Sequence, residues 1–491
     1  MASTGFWQQP RWFRTLFMTD VWERFSFFGM MAILFLFATA PPAEGGLGMA
    51  PGSAGALVGA YVSLTFIASI PGGWLGDRVL GQQRAVLHGA IMIAGGHCVL
   101  AVPLASTFYA GVLLVALGTG LLKPNLSALL GSFYPPERSA ERESGFAIFF
   151  MSIQVSAMIA PFVTGTLGEG VNWHLGFGAA AAGMGIGIAC YVRGRDGFGD
   201  TGAAPSRPLP PGRAARTAVV AACCTAAGAL PLGAAVLAGL PVAEALVILL
   251  GVLTLVLPVV VFRRLRADAA GEPGRTRLLA YRWVFACTVM LFLLLGQGHS
   301  VLNQFALRHT DRALGDLTVP ASWFQALHAL FILIAAPVVA RLWTGAGKGW
   351  SAPAKLAGGL TIGASGYLLM TGAAFAAADG PVSPLWLAGV HLLQAIAELT
   401  VGTVALGLTT QLAPPGRVGT MMGLWWLAGA LGAALGGQAA RAGLAPGGEV
   451  RPGYFLALAA VGLVFALIVH GRRAALAARL RPEPVPTLEV S

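Results

Sequence analysis

Residues 15–38 read TLFMTDVWERFSFFGMMAILFLFA. Apart from Asp20, Glu23 and Arg24 the stretch is mostly apolar, and at about 1.5 Å per helical residue it is long enough to cross about 30 Å of hydrocarbon. Comparable blocks recur along the chain. The predicted spans are 15–38, 53–76, 84–103, 105–130, 143–167, 173–192, 280–304, 320–342, 354–377, 383–411, 417–441 and 452–471, with two extra blocks at 215–237 and 241–262. We therefore expect an all-α polytopic membrane protein with about fourteen transmembrane helices.

The composition excludes a soluble globular protein. Of the 491 residues, 56% are hydrophobic and 10% are charged, whereas about 25% are charged in a typical soluble domain. The chain has no HExxH or GxSxG motif, and its five cysteines lie in apolar spans without metal-ligand spacing. We therefore expect neither an enzyme nor a cofactor or metal site.

The basic residues predict the orientation of the helices. If the N-terminus is cytoplasmic, most of them fall in cytoplasmic loops. They are Arg78, Arg84, Arg138, Arg142, Arg193, Arg195, Arg213, Arg216, Arg263, Arg264, Arg266, Arg341, Lys348, Lys355, Arg472 and Arg473. Arg308 and Arg312 are the main exceptions. We expect both termini in the cytoplasm, and we attribute the net charge of +11 to topology and lipid contact rather than to nucleic-acid binding.

The number and grouping of the spans predict two six-helix bundles with an inserted two-helix hairpin. This suggests the major facilitator fold, in which two halves rock around a site at mid-membrane. A stretch rich in Gly, Pro and Arg at 196–214 marks the central linker. The predicted units are an N-terminal bundle at 1–195, the linker and hairpin at 196–278, a C-terminal bundle at 279–475 and a cytoplasmic tail at 476–491.

Charged side chains in the first predicted span mark a candidate site, because a charge at mid-membrane is costly without a partner or a role. Asp20, Glu23 and Arg24 are spaced i, i+3 and i+4, so they share one helix face. Two acids beside one arginine leave a surplus carboxylate that can hold and release a proton. A static buried salt bridge is the alternative interpretation.

Two more charged residues predict a cavity with two poles. Lys123 precedes Pro124, which breaks the helix there, and Glu398 lies deep in the tenth span. Arg24 and Lys123 in the first half would hold a carboxylate, while Glu398 in the second half would hold an amine. This arrangement suits a zwitterion. The alternatives are a lysine that reaches the membrane interface and a neutral glutamic acid that joins helices.

Uncharged polar residues and histidines in the spans are weaker candidates. Each alone is more often a helix–helix hydrogen bond than a ligand contact. They are Gln154, Gln297, His299, Asn303, Gln304, Gln325 and His328. His328 is the most interesting, because an imidazole changes charge near neutral pH.

Several longer motifs are spread over most of the chain. They are DVWERFSFFGMMAIL at 20–34, GGWLGDRVLGQQR at 72–84, GTGLLKPNLSALLGSFY at 118–134, GFAIFFMSIQVSAMIAPFVTGTLG at 145–168, VPASWFQALHALFILIAAP at 319–337, AEL at 397–399 and VGTMMGLWWL at 418–427. Together they resemble the motifs of the proton-coupled oligopeptide transporter family, within the major facilitator superfamily. The extra pair of helices is similar to that of the bacterial members.

The resemblance implies roles for the matching residues. Asp20, Glu23 and Arg24 would couple protons, Lys123 would help to hold the substrate carboxylate, and Glu398 would receive the substrate amino terminus. The implied candidates are Arg24, Phe27, Phe28, Met31, Phe66, Lys123, Gln154, Gln297, His328, Glu398 and Trp425 for substrate binding, and Asp77 and Arg78 for a conformational latch.

The sequence also departs from the family pattern. The departures are Asp20 for a glutamate, Phe27, Phe28 and Phe66 for tyrosines, Met31 for an arginine, Gln154 and His328 for asparagines, and Gly296 for the helix-seven acid. The pocket is therefore expected to be poorer in fixed hydrogen-bond donors, and a pocket of that kind rejects fewer molecules. Helix seven is left without an obvious carboxylate.

The leading functional hypothesis is symport of di- and tripeptides or peptide-like zwitterions into the cytoplasm by alternating access, driven by a proton gradient. The expected location is the bacterial inner membrane, and the expected partners are substrate, protons and lipids, with the monomer functional. One alternative keeps the fold but carries a non-peptide, such as an organic acid or natural product, with altered proton coupling. Another is a binding or sensing module without net transport.

Overall fold

The computed structural model describes residues 9–134, 139–210, 212, 230, 232–269, 271–414, 417–445 and 447–480. These residues are almost wholly helical. The α-helices are α1 Arg11–Thr39, α2 Pro51–Leu75, α3 Gln82–Leu100, α4 Phe108–Ser132, α5 Ser139–Gly170, α6 Trp173–Gly194, α7 Val242–Asp268, α8 Gly271–Leu295, α9 Val301–His309, α10 Gln325–Thr344, α11 Ala352–Ala376, α12 Leu385–Gln411, α13 Val418–Gly443, α14 Pro452–Gly471 and α15 Arg473–Arg479. Two short strands, β1 Ala313–Leu314 and β2 Leu317–Thr318, pair antiparallel.

Local sequence explains several helix boundaries. Pro51 and Pro452 lie in the first turns of α2 and α14, where a missing N–H costs no helical hydrogen bond. The side chain of Asn172 accepts a hydrogen bond from the His174 amide at 2.8 Å and caps α6. A 3-10 turn at Gly296–His299 separates α8 from α9, so the predicted seventh span is not one continuous α-helix.

The structure confirms the predicted all-α polytopic architecture. In the described part of the chain, twelve helical segments are long and apolar enough to cross a membrane. Helix α3 occupies most of the predicted span 84–103, but it begins with a polar turn and is not among those twelve. Most of the predicted span 215–237 lies outside the described residues.

Each half of the chain packs extensively within itself. In the first half α1 packs on α5 and α6, α3 on α4 and α6, and α2 on α4. In the second half α11 packs on α12 and α14, α8 on α13, and α10 on α12. The predicted boundary at 195 falls one residue after α6, whereas the boundaries at 278 and 475 fall inside α8 and α15. The helix that enters the C-terminal bundle therefore begins before the predicted boundary at 279.

A glycine-rich contact joins the halves along α2 and α13. A Cβ atom at Gly59 would lie 2.5 Å from the Ala433 carbonyl oxygen and 2.9 Å from the Gly437 Cα. A Cβ at Gly52 would lie 2.9 Å from the Arg441 carbonyl oxygen. Because glycine has no side chain, the backbones of the two helices approach more closely here than they could with any other residue at these positions. We term this α2–α13 contact the glycine seam.

A second contact between the halves joins α5 to the start of α10. The Glu169 carboxylate accepts hydrogen bonds from the amides of Ala321 at 2.8 Å and Ser322 at 2.9 Å, and also from the Ser322 hydroxyl. Arg312 lies 4.0 Å from the same carboxylate. Glu169 therefore caps the 3-10 turn that precedes α10. We term the end of the molecule that holds Glu169 and the start of α2 the closed end.

Helix α7 is attached to both halves near the closed end. Glu244 accepts a hydrogen bond from Ser53 of α2 at 3.2 Å and forms an ion pair with Arg441 of α13. Farther along, Val247 and Leu250 pack against α2. The second helix of the inserted hairpin therefore lies against the edge of the glycine seam.

We expect Glu169→Ala to loosen the closed end. The substitution removes three hydrogen bonds to a charged acceptor, each worth about 1.5–3 kcal/mol. In hydrogen-exchange mass spectrometry of the purified protein, the peptide containing Ala321 and Ser322 should exchange at least about tenfold faster. Glu44→Ala, at an exposed glutamate in a loop turn, is the matched control. An unchanged exchange rate in Glu169→Ala would show that this cap does not hold the two halves together.

Candidate functional site

The candidate site is a cavity of about 290 Å³ between the two halves. Helices α1, α2, α4 and α5 line it on one side, and α8, α10, α12 and α13 on the other. The predicted substrate-binding residues that line it are Arg24, Phe27, Phe28, Met31, Phe66, Lys123, Gln154, His328 and Glu398. Most of the predicted substrate-binding residues therefore line the same cavity.

The first-helix charges form one cluster beside the cavity. Arg24 Nε lies 3.5 Å from Asp20 Oδ1 and 3.4 Å from Glu23 Oε2. Asp20 also accepts a hydrogen bond from Ser152 Oγ at 2.5 Å. Glu23 is 0% exposed, and neither of its carboxylate oxygens has a hydrogen-bond partner among the described residues. A buried charge needs a partner of opposite sign, and for Glu23 that partner is the Arg24 guanidinium.

The Lys123 ammonium group lies over the aromatic ring of Phe27, at a position where the family pattern has a tyrosine with its hydroxyl. Its Nζ is 4.1 Å from the centroid of the Phe27 ring, which is a cation–π contact. The Phe27 ring in turn lies 6.2 Å from that of Tyr61 and 5.3 Å from that of Phe28. The two phenylalanines add apolar surface to the cationic side of the cavity, and neither supplies a hydrogen-bond donor.

An aromatic cluster crosses the cavity between the halves. Phe66 of α2 lies 5.7 Å from Phe292 of α8 and 5.3 Å from Trp426 of α13, measured between ring centroids. All three line the cavity. Trp425 instead packs behind them, 6.0 Å from Phe292, and is not a lining residue. Adjacent helical residues point in directions about 100° apart, so Trp426 faces the cavity where the sequence had suggested Trp425, and a substrate-binding role for Trp425 stays a prediction.

Glu398 is paired with a histidine. His328 Nε2 lies 2.8 Å from Glu398 Oε2, and the two side chains are 24% and 36% exposed. His391 lies behind the pair, with its ring centroid 6.2 Å from that of His328. His299 contacts Gln325, with 2.7 Å between Nδ1 and Oε1. All three histidines line the cavity, so this wall carries more titratable groups than the sequence prediction included.

Gln297 does not line the cavity, contrary to the sequence prediction. Its amide nitrogen donates to the carbonyl oxygens of Leu293 at 2.9 Å and Gly436 at 3.1 Å, and its oxygen accepts from Tyr454 at 2.5 Å. The 3-10 turn rotates Gln297 into the helix interface and turns Gly296 towards the cavity. A Cβ at Gly296 would meet no described atom within 4 Å, so the position of the missing acid is open space.

The predicted latch residues lie away from the cavity. Asp77 and Arg78 belong to a wide helical turn at Gly76–Leu80 that ends the second span. The Asp77 carbonyl accepts from the Arg207 amide at 3.0 Å, and its carboxylate accepts from Ser206 Oγ at 3.4 Å. These contacts join Asp77 to the linker after α6, and the latch role stays a prediction.

Several lining residues were not candidates in the sequence, and they include His391, Phe292 and Trp426. His391 precedes Glu398 by seven residues, which is two helical turns, so both lie on one face. That spacing could have identified it. Phe292 and Trp426 carry no comparable signal, because aromatic residues in membrane helices more often face lipid or core than a site.

Comparison with known proteins gives consistent matches over nearly the whole chain. A family model described as the POT family matches residues 83–444. The uncharacterized transporter YclF of Bacillus subtilis (strain 168) is 37% identical over 89% of this chain and 88% of its own length. A di-/tripeptide transporter of Lactococcus lactis subsp. cremoris is 34% identical over 88% of this chain and 89% of its own.

A solved structure shows the same architecture. The crystal structure of peptide transporter POT in complex with sulfate is 34% identical, with a TM-score of 0.91 over 98% of this chain and 97% of that chain. This likeness confirms the predicted major facilitator fold. The names of these relatives describe transporters rather than enzymes.

Proposed function

Because the chain belongs to the POT family, we propose that it transports di- and tripeptides, or peptide-like zwitterions, together with protons. One observation carries the proposal. Arg24 and Lys123 line one wall of the cavity and Glu398 lines the other. A zwitterion has a carboxylate for the first wall and an ammonium for the second, so opposite ends of one molecule satisfy both.

The cavity size and its apolar surface also support a small peptide. About 290 Å³ is near the lower limit of ordinary small-molecule sites. The rings of Phe27, Phe66 and Trp426 offer contact to side chains without fixed hydrogen-bond requirements, so we infer tolerance of apolar side chains. A non-peptide cargo is the less favoured alternative, since named relatives are di-/tripeptide transporters.

We infer that the proton gradient drives transport and that no cofactor is needed. The support is the cluster of Asp20, Glu23 and Arg24, where two acids share one arginine. Protonation of one acid removes the surplus negative charge and leaves a neutral pair, which lowers the cost of occluding the cluster from water.

The named relatives and the distribution of charge support a proposed location and orientation. The named relatives are bacterial, and basic residues are concentrated in one set of loops. We infer that the protein lies in the bacterial inner membrane, in contact with lipids, with both termini in the cytoplasm. The closed end would then face outward. Because one chain supplies both walls of the cavity, we infer that the monomer is functional.

Uptake of labelled dialanine by proteoliposomes tests the proposed function. With an inward proton gradient, we expect accumulation above the external concentration, and a proton ionophore should abolish it. Protein-free liposomes are the control. Absence of accumulation, together with absence of dialanine binding to the purified protein, would contradict the proposal and favour a non-peptide cargo.

A further inference from the structure

The anionic wall of the cavity holds Glu398, and its role in binding an amine rests on the proposed function. Glu398 does not face the cavity alone, because one of its oxygens, Oε2, is 2.8 Å from His328 Nε2. A carboxylate accepts hydrogen bonds and cannot donate them. With Glu398 ionised, His328 Nε2 therefore carries the hydrogen of this bond. The two residues come from different helices, α10 and α12.

This pair occupies the place that a substrate amine would take. Both side chains line the cavity and are partly exposed, His328 by 24% and Glu398 by 36%. An incoming ammonium group needs the same carboxylate as a hydrogen-bond acceptor. It must therefore share Glu398 with His328 or displace it.

The charge of His328 decides how strongly it competes. A neutral imidazole forms an ordinary hydrogen bond to a carboxylate, whereas an imidazolium forms a charge-assisted bond, which is about twice as strong. The imidazolium also repels an ammonium group nearby. An imidazole can change charge between about pH 5 and 8, so acidification strengthens the competitor.

The other titratable groups around His328 do not replace Glu398 as its partner. His391 is 6.2 Å away between ring centroids, and His299 is bonded to Gln325. Arg24 and Lys123 lie across the cavity on α1 and α4. Helix α5, which packs on α10, presents to the cavity Ile153, Gln154, Ala157 and Pro161, none of which titrates.

We propose that His328 is a specificity-determining residue that competes with the substrate amino group for Glu398 and makes amine recognition depend on pH. When His328 is neutral, the wall carries an unbalanced negative charge and binds an ammonium group. When His328 is protonated, the wall is neutral. The difference in affinity between ligands with an amine and ligands without one then becomes smaller. By thermodynamic linkage, binding of an ammonium ligand must in turn disfavour the proton on His328.

Binding of two ligands to the purified full chain is measured by isothermal titration calorimetry at about pH 5.5 and about pH 7.5. This range spans the titration of an ordinary imidazole. The ligands are dialanine and N-acetyl-dialanine, which differ in the amine. Both ligands have the same carboxylate, so the ratio of their dissociation constants cancels any effect of pH on the wall formed by Arg24 and Lys123. In the wild type, dialanine should bind more tightly than N-acetyl-dialanine at the higher pH. We expect the ratio of the two dissociation constants to change by at least about fivefold against dialanine at the lower pH, which is the lower limit of a typical coupling.

His328→Asn should remove this pH dependence, leaving a ratio constant within about twofold, below the typical coupling range. Asparagine keeps a side-chain donor without titrating. His88→Asn, at an exposed position on α3, is the matched control and should behave as the wild type. If His328→Asn does not fold, His328→Gln serves the same purpose.

Two outcomes separate the inference from the proposed function. If dialanine binds but the ratio depends on pH equally in the wild type and His328→Asn, or does not depend on pH in the wild type, the inference is wrong and the proposed function stands. If the wild type binds dialanine at neither pH, the proposed function is wrong and the inference falls with it.

Discussion

Proteoliposomes that contain Glu23→Gln will fail to accumulate dialanine under an inward proton gradient. Glu23 is fully buried, and its oxygens have no hydrogen-bond donors among the described residues. Glutamine keeps the size of the side chain but cannot change its charge. A mismatch in buried charge costs several kcal/mol, and about 1.4 kcal/mol corresponds to a factor of ten, so gradient-driven uptake should fall by about tenfold or more.

The same vesicles should still exchange labelled for unlabelled dialanine when no gradient is applied. Glutamine resembles a permanently protonated Glu23, so the loaded carrier can still change conformation. Glu44→Gln, at an exposed glutamate, should retain full gradient-driven uptake. If Glu23→Gln accumulates substrate normally, the coupling proton is carried elsewhere, and Asp20 becomes the next residue to test.

Gly59→Ala should disrupt the glycine seam and abolish uptake. The added Cβ would lie 2.5 Å from the Ala433 carbonyl oxygen, a separation that requires backbone movement. Overpacking of this kind costs about 1–3 kcal/mol. We expect a lower midpoint of thermal unfolding for the purified protein, and loss of dialanine uptake because the closed end no longer packs.

The matched control is Gly185→Ala on α6. Gly185 is also inside a membrane helix, but a Cβ there meets no described atom within 4 Å. Alanine is the better helix former by about 1 kcal/mol, so this variant should be as stable as the wild type or slightly more stable. Equal melting behaviour and equal uptake in the two variants would show that close backbone contact at Gly59 is not required.

Features within one helix were predictable from the sequence. Asp20, Glu23 and Arg24 meet because their spacing fixes a shared face, whatever the rest of the fold does. The two poles were also predictable as charges in apolar spans. The charges alone predicted that Lys123 and Glu398 face one cavity, and the family resemblance added the expected role of each residue.

Features that depend on local helix distortion or on contacts between halves were not predictable. The 3-10 turn at Gly296–His299 interrupts the helical period and moves Gln297 out of the site. The pairing of Glu169 with the turn before α10 joins residues about 150 apart in the chain. His328 was a candidate by its type, but its bond to Glu398 became visible only with both helices in place.

The attachment of α7 has a consequence for any movement of the two halves relative to one another. Glu244 joins α7 to Ser53 in one half and to Arg441 in the other. A rearrangement that separates α2 from α13 at the closed end must break at least one of these two contacts. Breaking an ion pair leaves a charged group that needs a new partner or water. Glu244 therefore adds to the free-energy cost of opening the closed end, although it belongs to neither six-helix bundle.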